Sequence, residues 1–221
     1  MPQTLPRLPA VVKNECSFYY LAMPKVSDEH RAARRKQIID AARQLVADQG
    51  FHKTTMSDVI RESGLSAGAV YGYFKSKDEI VAAIADDALG NIDDVFDRIV
   101  ADPELTPVKA LRTILEHVAE IADRPGGDVT RVALQAWAEA LRDEAIMTTA
   151  QSKYSLLRAH FAEIARRGQR NGTIAAGVDP DHVAQAMFGL IPGFVLQRLI
   201  LGDVTPDSYT DGFAALICVT P

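Results

Sequence analysis

The segment 54–79, TTMSDVIRESGLSAGAVYGYFKSKDE, constrains the fold more than any other part of the chain. Its hydroxyl and glycine residues fall where helix ends need them. Thr55 can cap a helix over 56–63, in which Met56, Val59 and Ile60 take the i, i+3, i+4 spacing of one apolar face. Gly64 stops that helix, because glycine adopts the left-handed conformation of a helix end at little cost. Ser66 can cap a second helix over 67–72. Ser66, Ala67, Gly68 and Ala69 leave its first turn with little bulk, so it can approach another backbone closely. Two short helices joined by a glycine turn have the form of a helix-turn-helix, whose second helix enters a DNA major groove with its N-terminal residues toward the base edges. Tyr71, Tyr73, Lys75 and Lys77 follow with phenol and ammonium donors suited to phosphates.

The net charge of −5 is at odds with DNA binding until it is divided along the chain. Residues 1–80 carry a net +3 and residues 81–221 a net −8. A basic head on an acidic body fits a head that meets phosphates and a body that does not. With 48% apolar and 24% charged residues, the 221-residue chain has the composition of a soluble globular protein able to bury a substantial core. No apolar run of the length a membrane span needs is expected, and no membrane partner. Cys16 and Cys218 stand near opposite ends and suggest neither a disulfide framework nor a zinc pair, so a reducing cytoplasm is the simpler setting.

The run SGLSAGAVYGYFKSKDEI resembles the DNA-binding signature of TetR-family transcriptional regulators, which often carry a pattern near GvSkgtlYhYFpsKeeL. The preceding run IIDAARQLVADQGFHKTTMSDV is similar to that family's first helix and its Gly-aromatic-x-x-Thr-Thr/Ser junction. The resemblance is strong over residues 31–81 and architectural beyond. It implies a homodimeric, ligand-responsive DNA binder, most often a repressor, that reads a pseudo-palindromic double-stranded operator. It also implies that the last two long helices of two subunits form a four-helix interface. Base reading then falls to Ser66, Ala67, Gly68, Ala69 and Tyr71, and phosphate holding to Thr54, Thr55, Ser57, Tyr73, Lys75 and Lys77, with packing beside Phe74 as the alternative for Tyr73. One of Arg31, Arg34, Arg35 and Lys36 joins them from the first helix. Met23-Pro24 reads as a more natural start for this family, so residues 1–26, with four prolines and no helical period, are expected to be a flexible leader; a basic DNA-tracking arm is the alternative.

The rest of the chain reads as all-α, about nine helices: a three-helix head over 27–76 and an effector-binding and dimerisation body over 77–221. Ser27 opens the first helix, which Gly50 ends; Phe51 plugs the turn. Ser76 caps a fourth helix whose apolar residues Ile80, Ile84, Ala88, Ile92, Phe96 and Ile99 run unbroken to about Ala101, a rod of roughly 24 residues and ~36 Å from head to body. Helices follow over 107–122, 128–142, 143–170, 180–201 and 206–219. The helix over 180–201 is apolar almost all round, which in a soluble chain demands burial on every side and therefore a partner. Pro192-Gly193 should kink it.

Catalytic signals are absent. The five histidines are scattered, with no i, i+4 zinc pair, and no phosphate-cradling glycine loop or nucleophile elbow occurs. Neither a metal nor a cofactor is expected. Asp86, Asp87, Asp93, Asp94 and Asp97 read as the wet face of the fourth helix. An apolar pocket for a small lipophilic effector is the more plausible site, with Phe96, Ile99, Ile114, His117, Leu134, Trp137, Tyr154, Phe161, Met187 and Ile191 as candidates; ordinary core packing is the competing reading for each. Trp137, His117 and Tyr154 stand out because their polar ends need partners when buried. Two other readings stay open on the residues alone. One is an enzymatic or small-molecule-binding body with His117 and Glu120 as an acid–base pair. The other is an adaptor that dimerises through its last two helices.

Overall fold

A computed structural model describes residues 28–90, 92–125 and 127–217. The expected leader, Ser27, Cys16, Cys218 and the end of the last helix at Val219 lie outside these residues. Ten helices and no strands occur among the described residues: α1 Asp28–Gln49, α2 Met56–Ser63, α3 Ala67–Tyr73, α4 Lys77–Ala88, α5 Ile92–Ala101, α6 Pro107–Ala122, α7 Val129–Ala140, α8 Glu144–Arg170, α9 Pro180–Ile200 and α10 Pro206–Ile217. The all-α architecture of head and body is as the sequence predicts.

Local chemistry sets the head's boundaries. Thr55 and Asp58 form a reciprocal capping box: the Thr55 hydroxyl accepts from the Asp58 amide at 3.2 Å, and the Asp58 carboxylate accepts from the Thr55 amide at 3.0 Å. The Thr55 hydroxyl also donates to the Asp58 carboxylate at 2.7 Å, and this bond, with the Thr55 amide and Arg61 at 2.7 Å, holds the Asp58 carboxyl below its usual range. Gly64 closes α2 with φ +66°. The hydroxyls of Ser66 and Ser76 cap α3 and α4.

The predicted single rod over 77–101 is two helices. The turn after α4 is closed by bonds from Gly90 N–H to the Asp87 carbonyl and from Ile92 N–H to the Leu89 carbonyl. Glycine costs a helix interior about 1 kcal/mol, and that cost falls at Gly90. The apolar spacing of Ile84, Ala88 and Ile92 continues across the break and hides it. The acidic residues there are also more than a wet face. Asp86 pairs with Lys153 of α8, Asp87 lies 3.3 Å from Arg43 and 3.7 Å from Lys36, and Asp93 meets His160 at 2.8 Å. Among the described residues no group of three or more acidic, histidine or cysteine side chains could hold a metal.

Val59 of α2 and Val70 of α3 are fully buried against Ile38, Ile39 and Ala42 of α1 and Ile80 and Ile84 of α4. This core does not stop at residue 76. Ile121, Val129, Val132, Ala140 and Ile146 of the body belong to the same cluster. Arg43 of α1, 3% exposed, fixes the seam by donating to Asp40 at 2.8 Å, Asp87 at 3.3 Å and the Pro125 carbonyl at 2.6 Å. Two further cores fill the body. One joins α5, α6, α8 and α9 around Phe96 and Phe161; the other joins α6, α9 and α10 around Leu111, Leu115 and Phe194.

Helix α9 corrects the expectation that no segment has the length and apolarity of a membrane span. It has 21 residues and a best-window mean hydropathy of 1.4, because its charges, Asp181 and Arg198, sit near its ends. It packs along α8, and Arg198 anchors its C-terminal turn to Asp128 at 3.0 Å and Asp123 at 2.9 Å. Only 22% of that window is buried within the chain. Leu196, Ile200 and Leu201 are exposed, as are Leu216 and Ile217 of α10.

Removing Arg43 takes its donor from the Pro125 carbonyl and leaves Asp40 and Asp87 with Lys36 at the seam. Arg43→Ala is expected to lower stability by about 2–3 kcal/mol, on the scale of a broken buried pair with half-exposed partners. The urea midpoint should fall in a single transition that moves head and body together. Independent transitions for the two parts would contradict the shared core.

Candidate nucleic-acid interface and effector cavity

Helix α3 turns Val70 and Phe74 inward and leaves Ser66, Ala67, Gly68, Tyr71 and Gly72 exposed, with Ala69 half-buried. Gly68 and Gly72 are helical, and a Cβ at either would meet nothing within 4 Å. The fold itself has no need of glycine at these two positions. The result is a slim outer face, with Tyr71 as its one large side chain, 44% exposed. Around it, Ser57, Thr55 and Lys75 are exposed. Lys75 folds its ammonium back onto the Tyr71 carbonyl at 2.6 Å and donates its amide to Glu79 at 2.7 Å.

Three residues expected beside these are turned inward. Thr54 is 1% exposed, and its hydroxyl donates to the Gly50 carbonyl at 2.9 Å. Tyr73 packs partly buried against the head's core. Lys77 donates to the Phe51 carbonyl at 2.9 Å, with its ammonium 4.1 Å from the centre of the Phe51 ring. The geometry therefore gives Thr54, Tyr73 and Lys77 structural work in the turn and core. On α1, Arg35 lies 5.2 Å over the Phe74 ring and Arg34 bonds Gln37, while Arg31 is exposed.

A cavity of about 420 Å³ opens where α4 meets the body. This is within the usual range of ligand pockets. Its α4 wall is Val81, Ala82, Ala85, Ala88 and Leu89; α7 gives Thr130, Ala133, Ala136 and Trp137; α8 gives Ala145, Thr149, Lys153, Tyr154 and Leu157; α9 gives Phe188, Ile191, Pro192 and Val195. The lining is almost wholly apolar. Its polar side chains are Asp78, Glu79, Thr130, Thr149, Lys153 and, between two aromatic rings, Tyr154. Among the described residues the Tyr154 hydroxyl has no hydrogen-bond partner, and burial pushes its pKa well up, so it stays a neutral donor. The Trp137 and Phe188 rings flank it at 6.2 and 5.0 Å.

Of the ten expected pocket residues, Phe96, Ile114, Trp137, Tyr154 and Ile191 line this cavity. Ile99 and His117 line a second, more polar recess of about 360 Å³ between α5 and α6. Phe161 and Met187 fill the core beneath Phe96, and Leu134 packs beside Leu111 and Phe194. Phe188 and Lys153 are lining residues that the sequence reading passed over. The signal was present on α9, where Phe188, Ile191, Pro192 and Val195 follow i, i+3, i+4, i+7; Met187 lies on the neighbouring face.

These sites have a family context. Residues 38–84 match the profile of bacterial regulatory proteins of the tetR family, and residues 107–217 that of the BetI-type transcriptional repressor C-terminal region. The HTH-type transcriptional regulator YfiR of Bacillus subtilis is 30% identical over 189 residues, covering 83% of this chain and 89% of its own. The chain belongs to the TetR family. It is a DNA-binding transcriptional regulator, and α2–α3 is its helix-turn-helix. Among solved TetR-type structures, a regulator from Haloarcula marismortui shares the fold with TM-score 0.66, at 21% identity over 84% of this chain and 96% of that one. A regulator from Saccharomonospora viridis in complex with choline has TM-score 0.64 and 25% identity, over 84% and 96% of the two chains.

His117 offers a pH test of the second recess. Its Nε2 is buried with no partner among the described residues, and burial depresses its pKa, against the partly compensating pull of Glu120 at 3.9 Å. A depressed folded-state pKa means that the unfolded chain takes up the proton first. Stability is thus full above the unfolded value of about 6.5 and declines as pH falls through the folded one. His117→Gln should flatten this slope in thermal melts between pH 7 and 5.

Proposed function

We propose that this TetR-family protein is a homodimeric repressor that leaves a pseudo-palindromic operator when a small lipophilic effector enters the α4 cavity. The observation that carries the reading is the placement of that cavity. Its wall is the helix that begins where the helix-turn-helix ends, so an occupant touches α4 directly. An effector can move the head only by fitting one pose of α4 better than another. The cavity chemistry favours an apolar molecule with one hydrogen-bond acceptor for the Tyr154 hydroxyl, which has no partner among the described residues. The ring faces of Trp137, Tyr154 and Phe188 also suit a quaternary ammonium, and the Saccharomonospora viridis regulator was solved in complex with one, choline.

Dimerisation is supported by the exposed apolar side of α9 and α10, where Leu196, Ile200, Leu201, Leu216 and Ile217 form too much apolar surface for an unpartnered face. A two-fold dimer carries two heads, and half-sites one helical turn or a multiple apart follow from that symmetry. Such a protein works where the DNA is, in the cytoplasm.

On the DNA, Ser66, Ala67, Gly68, Ala69 and Tyr71 would face bases. Ala67 and Ala69 can touch thymine methyls but cannot form the bidentate bonds of Arg or Asn. Specificity therefore leans on Tyr71, backbone amides and DNA shape. Thr55, Ser57 and Lys75 would hold phosphates.

Selection of duplexes from a random pool, followed by mobility shift, tests the reading. A recovered pseudo-palindrome is the expected result; binding without sequence preference at physiological salt sinks it. On the recovered duplex, Lys75→Ala should reduce the slope of log affinity against log salt by about one, whereas Lys77→Ala should leave the slope alone and lower the melting temperature. Gly72→Ala should do the reverse of most mutations. It should raise stability by up to about 1 kcal/mol, through helix propensity, while weakening operator binding by crowding the slim face.

A further inference from the structure

We propose that Gln135 of α7 is a positioning residue for operator binding, carrying the state of the cavity into the turn between α1 and α2. This assignment rests on the effector-responsive reading above and adds to it a second connection beside α4. It begins with the two faces of α7. One face, with Thr130, Ala133, Ala136 and Trp137, lines the cavity. Another holds the head. The Gln135 side-chain carbonyl accepts the Phe51 amide at 3.0 Å, and Glu139 pairs with His52 at 2.7 Å. The same Gln135 oxygen lies 3.7 Å from where a Cβ on Gly50 would stand, so the side chain sits directly against a turn residue of φ +92°.

Phe51 is therefore a junction. Its N–H belongs to α7 through Gln135, and its carbonyl belongs to α4 through Lys77, whose ammonium also lies over the Phe51 ring. Phe51 itself is buried, 7% exposed, in the cluster that contains Val59 and Val70 of the helix-turn-helix. The two helices, both of which line the cavity, thus hold one residue by its N–H and its C=O. A twelve-residue helix moves as a body, so a shift at Ala133 or Ala136 displaces Gln135 with it. An occupant that changes the distance between α4 and α7 changes the two pulls on Phe51 together, and α2 starts five residues later.

Coupling of this kind is reciprocal: what the cavity does to the head, the operator must do to the cavity. Trp137, the chain's single tryptophan, sits in the cavity wall two residues from Gln135 and reports it without any effector. The experiment titrates full-length protein with the duplex selected by the wild type and follows Trp137 emission. Wild type should show an emission shift that saturates with operator binding. Gln135→Leu should still bind, about fivefold more weakly for one lost hydrogen bond, but lose the shift. Gln135→Glu, which keeps an acceptor for the Phe51 amide, should restore it.

A Gln135→Leu shift equal to wild type overturns the assignment, as does a silent Trp137 in operator-saturated wild type. If circular dichroism shows Gln135→Leu unfolded, Gln135→Asn takes its place, since it keeps the amide but is one methylene too short to reach the Phe51 N–H. A smaller shift then supports the proposal, and an unchanged one overturns it. A wild-type protein that selects no duplex at all removes the regulatory reading itself, and with it this proposal.

Discussion

Helices α2 and α3 have eight and seven residues, well short of the 12–15 or so at which an isolated helix becomes even marginal in water. Their geometry is therefore not their own. It exists because Val59, Val70 and Phe74 are buried on α1 and α4, each such side chain contributing about 1.5–3 kcal/mol. That burial is in turn completed by Val132 and Ala140 of α7, Ile121 of α6 and Ile146 of α8. The DNA-reading surface is held in place by body residues, so body and head cannot differ in state independently.

Charge in the head follows the same logic. Division of the sequence gives a net positive head, but much of that charge is committed before any phosphate arrives. Arg43 is sealed into the seam, Arg61 is tied to Asp58, and Lys77 and Arg35 lie over aromatic rings. Along α4 and α5, Asp86 pairs with Lys153, Asp87 with Arg43 and Lys36, and Asp93 with His160. Apart from the buried Arg43 pair, these are partly exposed and contribute little stability, typically under about 1 kcal/mol each. Their use here is geometric: they set how α8 and α1 sit against the α4–α5 segment.

What the sequence made legible was local. Thr55, Gly64, Ser66 and Ser76 announce helix ends through bonds that span three or four residues, and the apolar periods of α1, α2, α6 and α8 place their inward faces. What it hid was set by partners far along the chain. Thr54 and Lys77 have the chemistry of phosphate ligands, but Lys77 meets a carbonyl and a ring 26 residues away in sequence. The pocket list divided for a similar reason. Aromatic residues on neighbouring helical faces look alike in sequence, yet Phe188 reaches the cavity while Met187 and Phe161 fill the core beside it. The break at Gly90 was masked by an apolar repeat that runs through it without a fault.

That break changes the mechanics of the molecule. A continuous rod would have to drag Phe96, fully packed in the body, whenever its far end moved. With the chain interrupted after Leu89, α4 is a separate strut of twelve residues, about 18 Å long. Pivoting by about ten degrees at the Gly90 end would carry Lys77 through about 3 Å at that length, enough to take a recognition helix out of register with a groove while the floor of the cavity stays still.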